Sequence, residues 1–426
     1  MRTARTRRSL LKAAAAAVLS TAVLSTALLT SPPASAQTRN TGAPARWTAQ
    51  PLPFTDANLT DAVGMGQGRT LAAGFVVYRE GKVHRFRPVV AERESAGGTW
   101  RPVAAASEAA GTVNSRVNAI DADGPDDVWL VGDDASALDG RIFTQHYDGT
   151  RWSVVPAELP AKGEAGALLD VDTSAGGAWA VGFAQIEVSR TWDEEKGGWI
   201  TESRNAGIAR HYDGTAWRDV PLPELGGDYW YLNSVRAVSA DDVWAAGYDG
   251  NTGGPLLMHY DGTSWSQVSA AGVTDRPGHA HGLAVTPAGE VWLVAEDWAP
   301  ADGTTRALVA RYDGTRWRTV EVPDVHARPF GVTAVRGGGI AVVGQTLGER
   351  RDALAWQWTP TRAGLADGSG TGRWTMLDLP QPTTTGPSEN SASAVVSDGA
   401  GLTVLGTSVV PGFEPQPFAA LRRSGR

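Results

Sequence analysis

Seven tryptophans recur along this chain at intervals of 48 to 65 residues: Trp47, Trp100, Trp152, Trp217, Trp265, Trp317 and Trp374. Four of them follow nearly the same phrase, at residues 146–150, 211–215, 259–263 and 311–315, in which Asp-Gly signals a hairpin turn. A short apolar run accompanies each repeat, at residues 71–74, 128–132, 178–182, 243–247, 291–295, 340–344 and 402–406, the last interrupted by Thr403. Runs that are apolar at every position read as strands buried on both faces. All but the fifth run, which ends in Ala295, close on glycine. A unit of this size cannot bury its own faces, so it must pack against its copies.

A period near 50 residues with several strands per unit predicts an all-β fold, a β-propeller of four-stranded antiparallel blades. The unit at residues 112–156 reads most clearly. Strand A spans 117–122, strand B 128–132, strand C 142–147 and strand D 152–155, counted from the axis outward. Trp47 precedes the first strand B, and no such tryptophan follows the last one. Seven blades are therefore expected, the last built from both ends of the chain and closed by the N-terminal strand. The glycine ending strand B is expected to make room for the ring of the strand-D tryptophan. One propeller domain is expected over residues 45–426, with its largest insertion, 184–207, between strands B and C of the third blade.

The first 36 residues read as a twin-arginine-like export signal: Arg7-Arg8 and Lys12 precede an alanine-rich apolar run, and Ala34-Ser35-Ala36 is a small-x-small cleavage site. Residues 37–44 form a short leader. Cleavage near Ala36 predicts a secreted protein without a membrane span. It removes five of the 38 basic residues, leaving 33 against 46 acids, a net charge of −13. That balance argues against nucleic acid as a partner. The absence of cysteine excludes disulfides, thiolate metal sites and cysteine nucleophiles.

The glycine-ended strand B and the tryptophan on strand D resemble kelch and galactose-oxidase-central-domain propellers. Asp126-Asp127-Val128-Trp129 and Asp241-Asp242-Val243-Trp244, with the phrase at 146–150 and its copies, are similar to "DDVWAVG…HYDGTxW" repeats of exported proteins from high-GC bacteria. The resemblance implies the fold and assigns no activity. Galactose oxidase chemistry needs a cysteine cross-linked to tyrosine, which this chain lacks.

The short A–B and C–D turns repeat from blade to blade, whereas the B–C and D–A loops differ in every blade. Variation on a rigid scaffold points to function at the face carrying the second set. Aligning the strands places Asn118, Asn233, His281 and Phe330 at one equivalent position near the channel mouth. Tyr229, Trp230 and Tyr231 lie just before Asn233, Trp298 follows strand B of the fifth blade, and His279 and His326 lie in adjacent D–A segments. Aromatic rings beside amides and imidazoles suit a sugar or peptide. No phosphate loop, nucleophile elbow or HExxH occurs. No cofactor is implied, and no metal is assigned to His279, His281 and His326, for want of a nearby carboxylate pattern. The first expectation is a monomeric, non-catalytic binding module for an extracellular glycan, peptide or protein. The alternative is a polysaccharide lyase or hydrolase at the channel mouth, with His281 as base and Glu296 or Asp249 as its acid partner.

Overall fold

A computed structural model describes residues 47–104, 114–134, 141–173, 177–195, 197–298, 302–362, 364, 371–383, 389–398, 401–410 and 415–423. The expected export signal and leader lie outside these residues. Among the described residues, 28 strands, β1–β28 in chain order, form seven four-stranded antiparallel sheets. The seventh sheet runs β1 (Trp47–Gln50), β28 (Gln416–Arg423), β27 (Gly401–Val409), β26 (Glu389–Ser397). Pairing of Trp47 with Arg422 through Gln50 with Ala419 closes the last blade with the first strand, as the order of the tryptophans predicts. No helix among the described residues is long and apolar enough to cross a membrane.

The repeated phrase is architecture. In its turns, Gly149, Gly214, Gly262 and Gly314 have φ of 86°, 88°, 85° and 89°, a conformation that favours glycine. The Asp148 carboxylate accepts the N–H groups of Thr150 and Arg151, both at 2.9 Å, and Asp213, Asp261 and Asp313 repeat the pattern. The aromatic members stack one blade on the next. Trp129 lies against His146 of its own blade, at 4.5 Å, and against Tyr212 and Trp217 of the next blade, at 4.5 and 4.9 Å. Trp179 repeats this with His211, Tyr260 and Trp265, and Trp244 with His259, Tyr312 and Trp317. In the fifth blade the Arg311 guanidinium lies 5.8 Å from the Trp292 ring. Histidine and arginine interchange at this position because each covers a tryptophan face.

The role expected for the strand-B glycine is corrected. A Cβ on Gly247 would stand 1.9 Å from the Tyr231 carbonyl oxygen, so strand-A backbone, and not a tryptophan ring, occupies the space. Gly74, Gly132, Gly182, Gly344 and Gly406 meet the carbonyls of Asn58, Arg116, Ala167, Arg328 and Ser391 at 1.9–2.1 Å. Each glycine sits opposite the residue before a bulge in strand A. The bulged residues are Thr60, Asn118, Leu169, Asn233, His281, Phe330 and Ser393, one per blade, and all seven line a central channel cavity of about 550 Å³. Four of them tie their blade to the next: Thr60 donates to the Val117 carbonyl, Asn118 to Leu168, Asn233 to His281 and Ser393 to Leu59.

Deeper in the channel, the innermost strands present backbone N–H groups that no fifth strand can satisfy. Carboxylates accept them across blade boundaries. Asp61 takes the Ile120 N–H at 3.1 Å, Asp121 that of Thr173 at 2.7 Å, Asp170 that of Val235 at 2.9 Å, and Asp172 that of Ala237. Arg236 pairs with Asp170 at 2.7 Å and is surrounded by all four. Burial lowers its proton affinity, but the four aspartates outweigh burial and raise it. The acids therefore complete the sheet edges.

Candidate active site at the channel mouth

One turn of strand above the bulges, seven cross-strand pairs ring the mouth. Each joins the residue two before the bulge to the residue one after the strand-B glycine or its alanine replacement. Polar or aromatic examples are Arg116–Asp133, Tyr231–Tyr248, His279–Glu296 and Arg328–Gln345. Arg116 closes on Asp133 at 2.7 Å. The pairs of the fourth to sixth blades form a connected cluster instead. Its members come from β14 (Trp230–Ser239), β15 (Asp242–Asp249), β18 (Gly278–Val285), β19 (Val291–Asp297) and β22 (Ala327–Val335).

Tyr231 Oη lies 2.7 Å from His279 Nε2, and His279 Nδ1 lies 3.2 Å from His281 Nε2. His281 Nε2 is 2.7 Å from Glu296 Oε1. The Trp298 indole N–H donates to Glu296 Oε2 at 2.7 Å, and Arg328 Nε stands 2.7 Å from Glu296 Oε1. Burial alone would raise the Glu296 carboxyl, but the His281 hydrogen bond and charge, the Trp298 donor and Arg328 outweigh it and hold it at about 2. Burial, with His281 and Arg328 opposing a positive charge, lowers His279 to about 3. Burial, then Tyr229, Tyr248 and Glu296, raises the Tyr231 hydroxyl above its ordinary range.

These states assign the protons. An ionised Glu296 only accepts, so His281 Nε2 carries the proton between them. His279 Nδ1 faces that same N–H and is therefore a lone pair. Neutral His279 then carries its proton on Nε2 and donates it to Tyr231. The Tyr231 O–H remains free to donate elsewhere, and in neutral His281 the basic lone pair is on Nδ1. The cluster thus offers one proton donor, one base and one arginine beside an open channel.

Aromatic rings continue the wall. Tyr248 lies 5.9 Å from both Tyr231 and Trp298, Tyr229 lies 5.7 Å from Tyr231, and the Phe330 ring meets the His281 edge-on at 5.5 Å. Tyr229 and Trp298 are exposed. The structure thus gathers Tyr229, Tyr231, His279, His281, Trp298 and Phe330. Trp230 is not on this wall: strand alternation turns it into the core, 3 % exposed, against Gly207. Asn118 and Asn233 serve the girdle of blade-to-blade hydrogen bonds. His326 is exposed just before β22 and lies outside the group of potential metal ligands, which is His279, His281 and Glu296. The fold thus supplies the carboxylate that sequence spacing does not show beside the imidazoles. Asp249 caps its own turn by accepting the Asn251 N–H at 2.9 Å, so Glu296 is the acid beside His281. Tyr248 and Arg328 escape the sequence reading, although their places next to the strand-B glycine and the bulge carry the signal.

No protein-family model and no curated protein sequence matches the chain. Among solved structures it is similar to an ulvan lyase, described as a new family of polysaccharide lyase and bound to -[GlcA(1-4)Rha3S]-. That similarity has a TM-score of 0.54 at 13 % identity and covers 89 % of this chain and 96 % of that one. An α-L-arabinanase of Penicillium chrysogenum aligns with a TM-score of 0.45 at 11 % identity, over 88 % of this chain and 98 % of that one. The intramolecular trans-sialidase of Ruminococcus gnavus aligns with a TM-score of 0.46 at 11 % identity, over 87 % and 96 %. The seven sheets, with the likeness to the ulvan lyase, establish the β-propeller. The expectation of a non-catalytic binding module is corrected here. The ulvan lyase is a catalytic protein of this same architecture, and the mouth here holds a linked donor and base where a passive binding surface needs neither.

Proposed function

We propose that this protein is an exported polysaccharide lyase that cleaves a uronate-containing extracellular glycan at the mouth of its channel. The observation that carries the reading is the cluster itself, in which Tyr231, His279, His281, Glu296 and Arg328 are linked by contacts of 2.7–3.2 Å at the mouth. A glycosidase of the two-carboxylate type needs one carboxyl held protonated as its acid. Glu296, the carboxylate in contact with His281, is instead held at about 2. Tyrosine and histidine carry the transferable protons, and that suits β-elimination. His281 takes the proton α to the uronate carboxylate, a C=C bond forms as the C4–O bond breaks, and Tyr231 protonates the departing oxygen. Arg328 supplies the positive charge that a uronate carboxylate requires. Tyr229, Tyr248 and Trp298 offer ring faces to neighbouring sugars. The likeness to a lyase bound to a glucuronate-containing glycan supports the substrate class.

The test is incubation of the chelator-treated protein with uronate-containing polysaccharides, following both reducing ends and the ultraviolet absorbance of unsaturated uronate. Both signals are expected to rise together. Tyr231→Phe and His281→Gln are expected to lower the rate by about 10²–10⁴-fold. Reducing ends without unsaturated product, or wild-type rates in both variants, would reject the lyase reading.

A further inference from the structure

The same strands arrange His279, His281 and Glu296 for a second use. His279 and Glu296 are direct cross-strand partners, and His281 stands two residues on, on the same side of strand A. One ligand atom from each, all within 4.8 Å of one another, converges at the mouth. His279 Nδ1 and His281 Nε2 are 3.2 Å apart. Two imidazoles on one tetrahedral zinc ion, each bonded at about 2.0–2.1 Å, stand roughly 3.3 Å apart. Glu296 Oε1 is 2.7 Å from His281 Nε2, so a small outward movement of the carboxylate admits an ion.

The surroundings of a metal centre are also present. A metal-bound imidazole generally donates its other ring N–H to an oxygen, and His279 Nε2 lies 2.7 Å from Tyr231 Oη. The other oxygen of Glu296 is fixed by the Trp298 indole at 2.7 Å. An ion takes the position of the His281 proton beside Glu296 Oε1, and Arg328 Nε makes no hydrogen bond there that the ion would have to displace. His281 borders the channel cavity, which provides entry and an open fourth coordination position. Two neutral imidazoles and one carboxylate form the donor set that zinc enzymes use with such an opening.

We propose that His279 Nδ1, His281 Nε2 and Glu296 Oε1 bind one zinc-like divalent ion, and that this ion switches the mouth off as a proton-transfer site. The ion takes the lone pair of His281 Nε2, the single ring proton of the neutral imidazole shifts from Nε2 to Nδ1, and the base is gone. The inhibition rests on the lyase reading; the binding does not.

Binding is therefore measured without glycan. The full mature chain, stripped with chelator, is dialysed against micromolar Zn²⁺ and analysed for metal. Co²⁺ is added separately and read by its visible absorption. One ion per chain, a tetrahedral cobalt spectrum and a higher melting temperature with zinc are expected. Glu296→Gln and His279→Ala are expected to weaken binding at least about tenfold, and Tyr231→Phe, which leaves the ligands in place, by about tenfold. No retained metal with no melting shift in the wild type, or equal binding by wild type and Tyr231→Phe, would overturn the proposal. In the lyase assay, zinc at the concentration that fills the site is expected to abolish cleavage; an active zinc-loaded enzyme would refute the switch while leaving the lyase reading intact.

Discussion

Asp61 gives the channel a measurable pH signature. Burial first, and the nearby Asp170 second, raise its carboxyl from 3.8 to about 7, against the pull of the Ile120 and Ala62 N–H groups and Arg236. Between those two values the folded protein holds a proton that the unfolded chain has released. Its contribution to stability is full at low pH and is lost as pH rises through 7. From pH 8 to pH 5.5 the linkage amounts to about 2 kcal/mol. Asp61 lines a cavity large enough for water, which screens part of this, so about 1 kcal/mol is the lower figure. Asp61→Asn removes the titration. It also leaves one of the two N–H groups, of Ala62 or Ile120, without its carboxylate oxygen, at a cost of about 1–3 kcal/mol that does not depend on pH. His279 works in the opposite direction: its affinity, lowered from 6.5 to about 3, makes the fold lose stability as pH falls through 6.5. That loss is common to wild type and variant and cancels in their difference. Urea unfolding at pH 8 and pH 5.5, followed by tryptophan fluorescence, is the assay. Wild type is expected to gain about 1–2 kcal/mol on Asp61→Asn as the pH is lowered. A difference identical at the two pH values would refute the assignment of a raised Asp61.

Two further perturbations test the frame. Gly247→Val places a Cβ where the Tyr231 carbonyl lies 1.9 Å away, and is expected to cost about 1–3 kcal/mol or more in a melting experiment; unchanged melting would reject the close approach. Starting the chain at residue 54 removes β1, exposes the edge of β28 and strips Trp47 from the core of the last blade, so a melting temperature several degrees below that of a chain starting at residue 37 is expected, and equal melting would count against closure by the N-terminal strand.

The blades were legible because their features are local. A glycine in a hairpin turn, an apolar strand and a tryptophan at a fixed offset act within one unit, and repetition shows the strand and the tryptophan seven times and the turn glycine four times. Even the bulge position could be aligned, as Asn118, Asn233, His281 and Phe330 show. The site was legible only in fragments. His279 and His281 stood out as a pair, and Glu296 as a nearby acid. Trp230 was misread with its neighbours because a run of three aromatics does not reveal which members face the core. Tyr248 and Arg328 were missed because each lies one blade or one strand away from the residues it serves.

Sequence alone thus determined the number of blades, their order and the closing of the ring, since each follows from periodic burial along the chain. Tertiary structure alone decided what the glycines accommodate, why aspartates stand in the channel and which side chains meet at the mouth. Those depend on the register between strands and on the approach of neighbouring blades. Distances of about 3 Å between residues far apart in the chain exist only once the ring has closed.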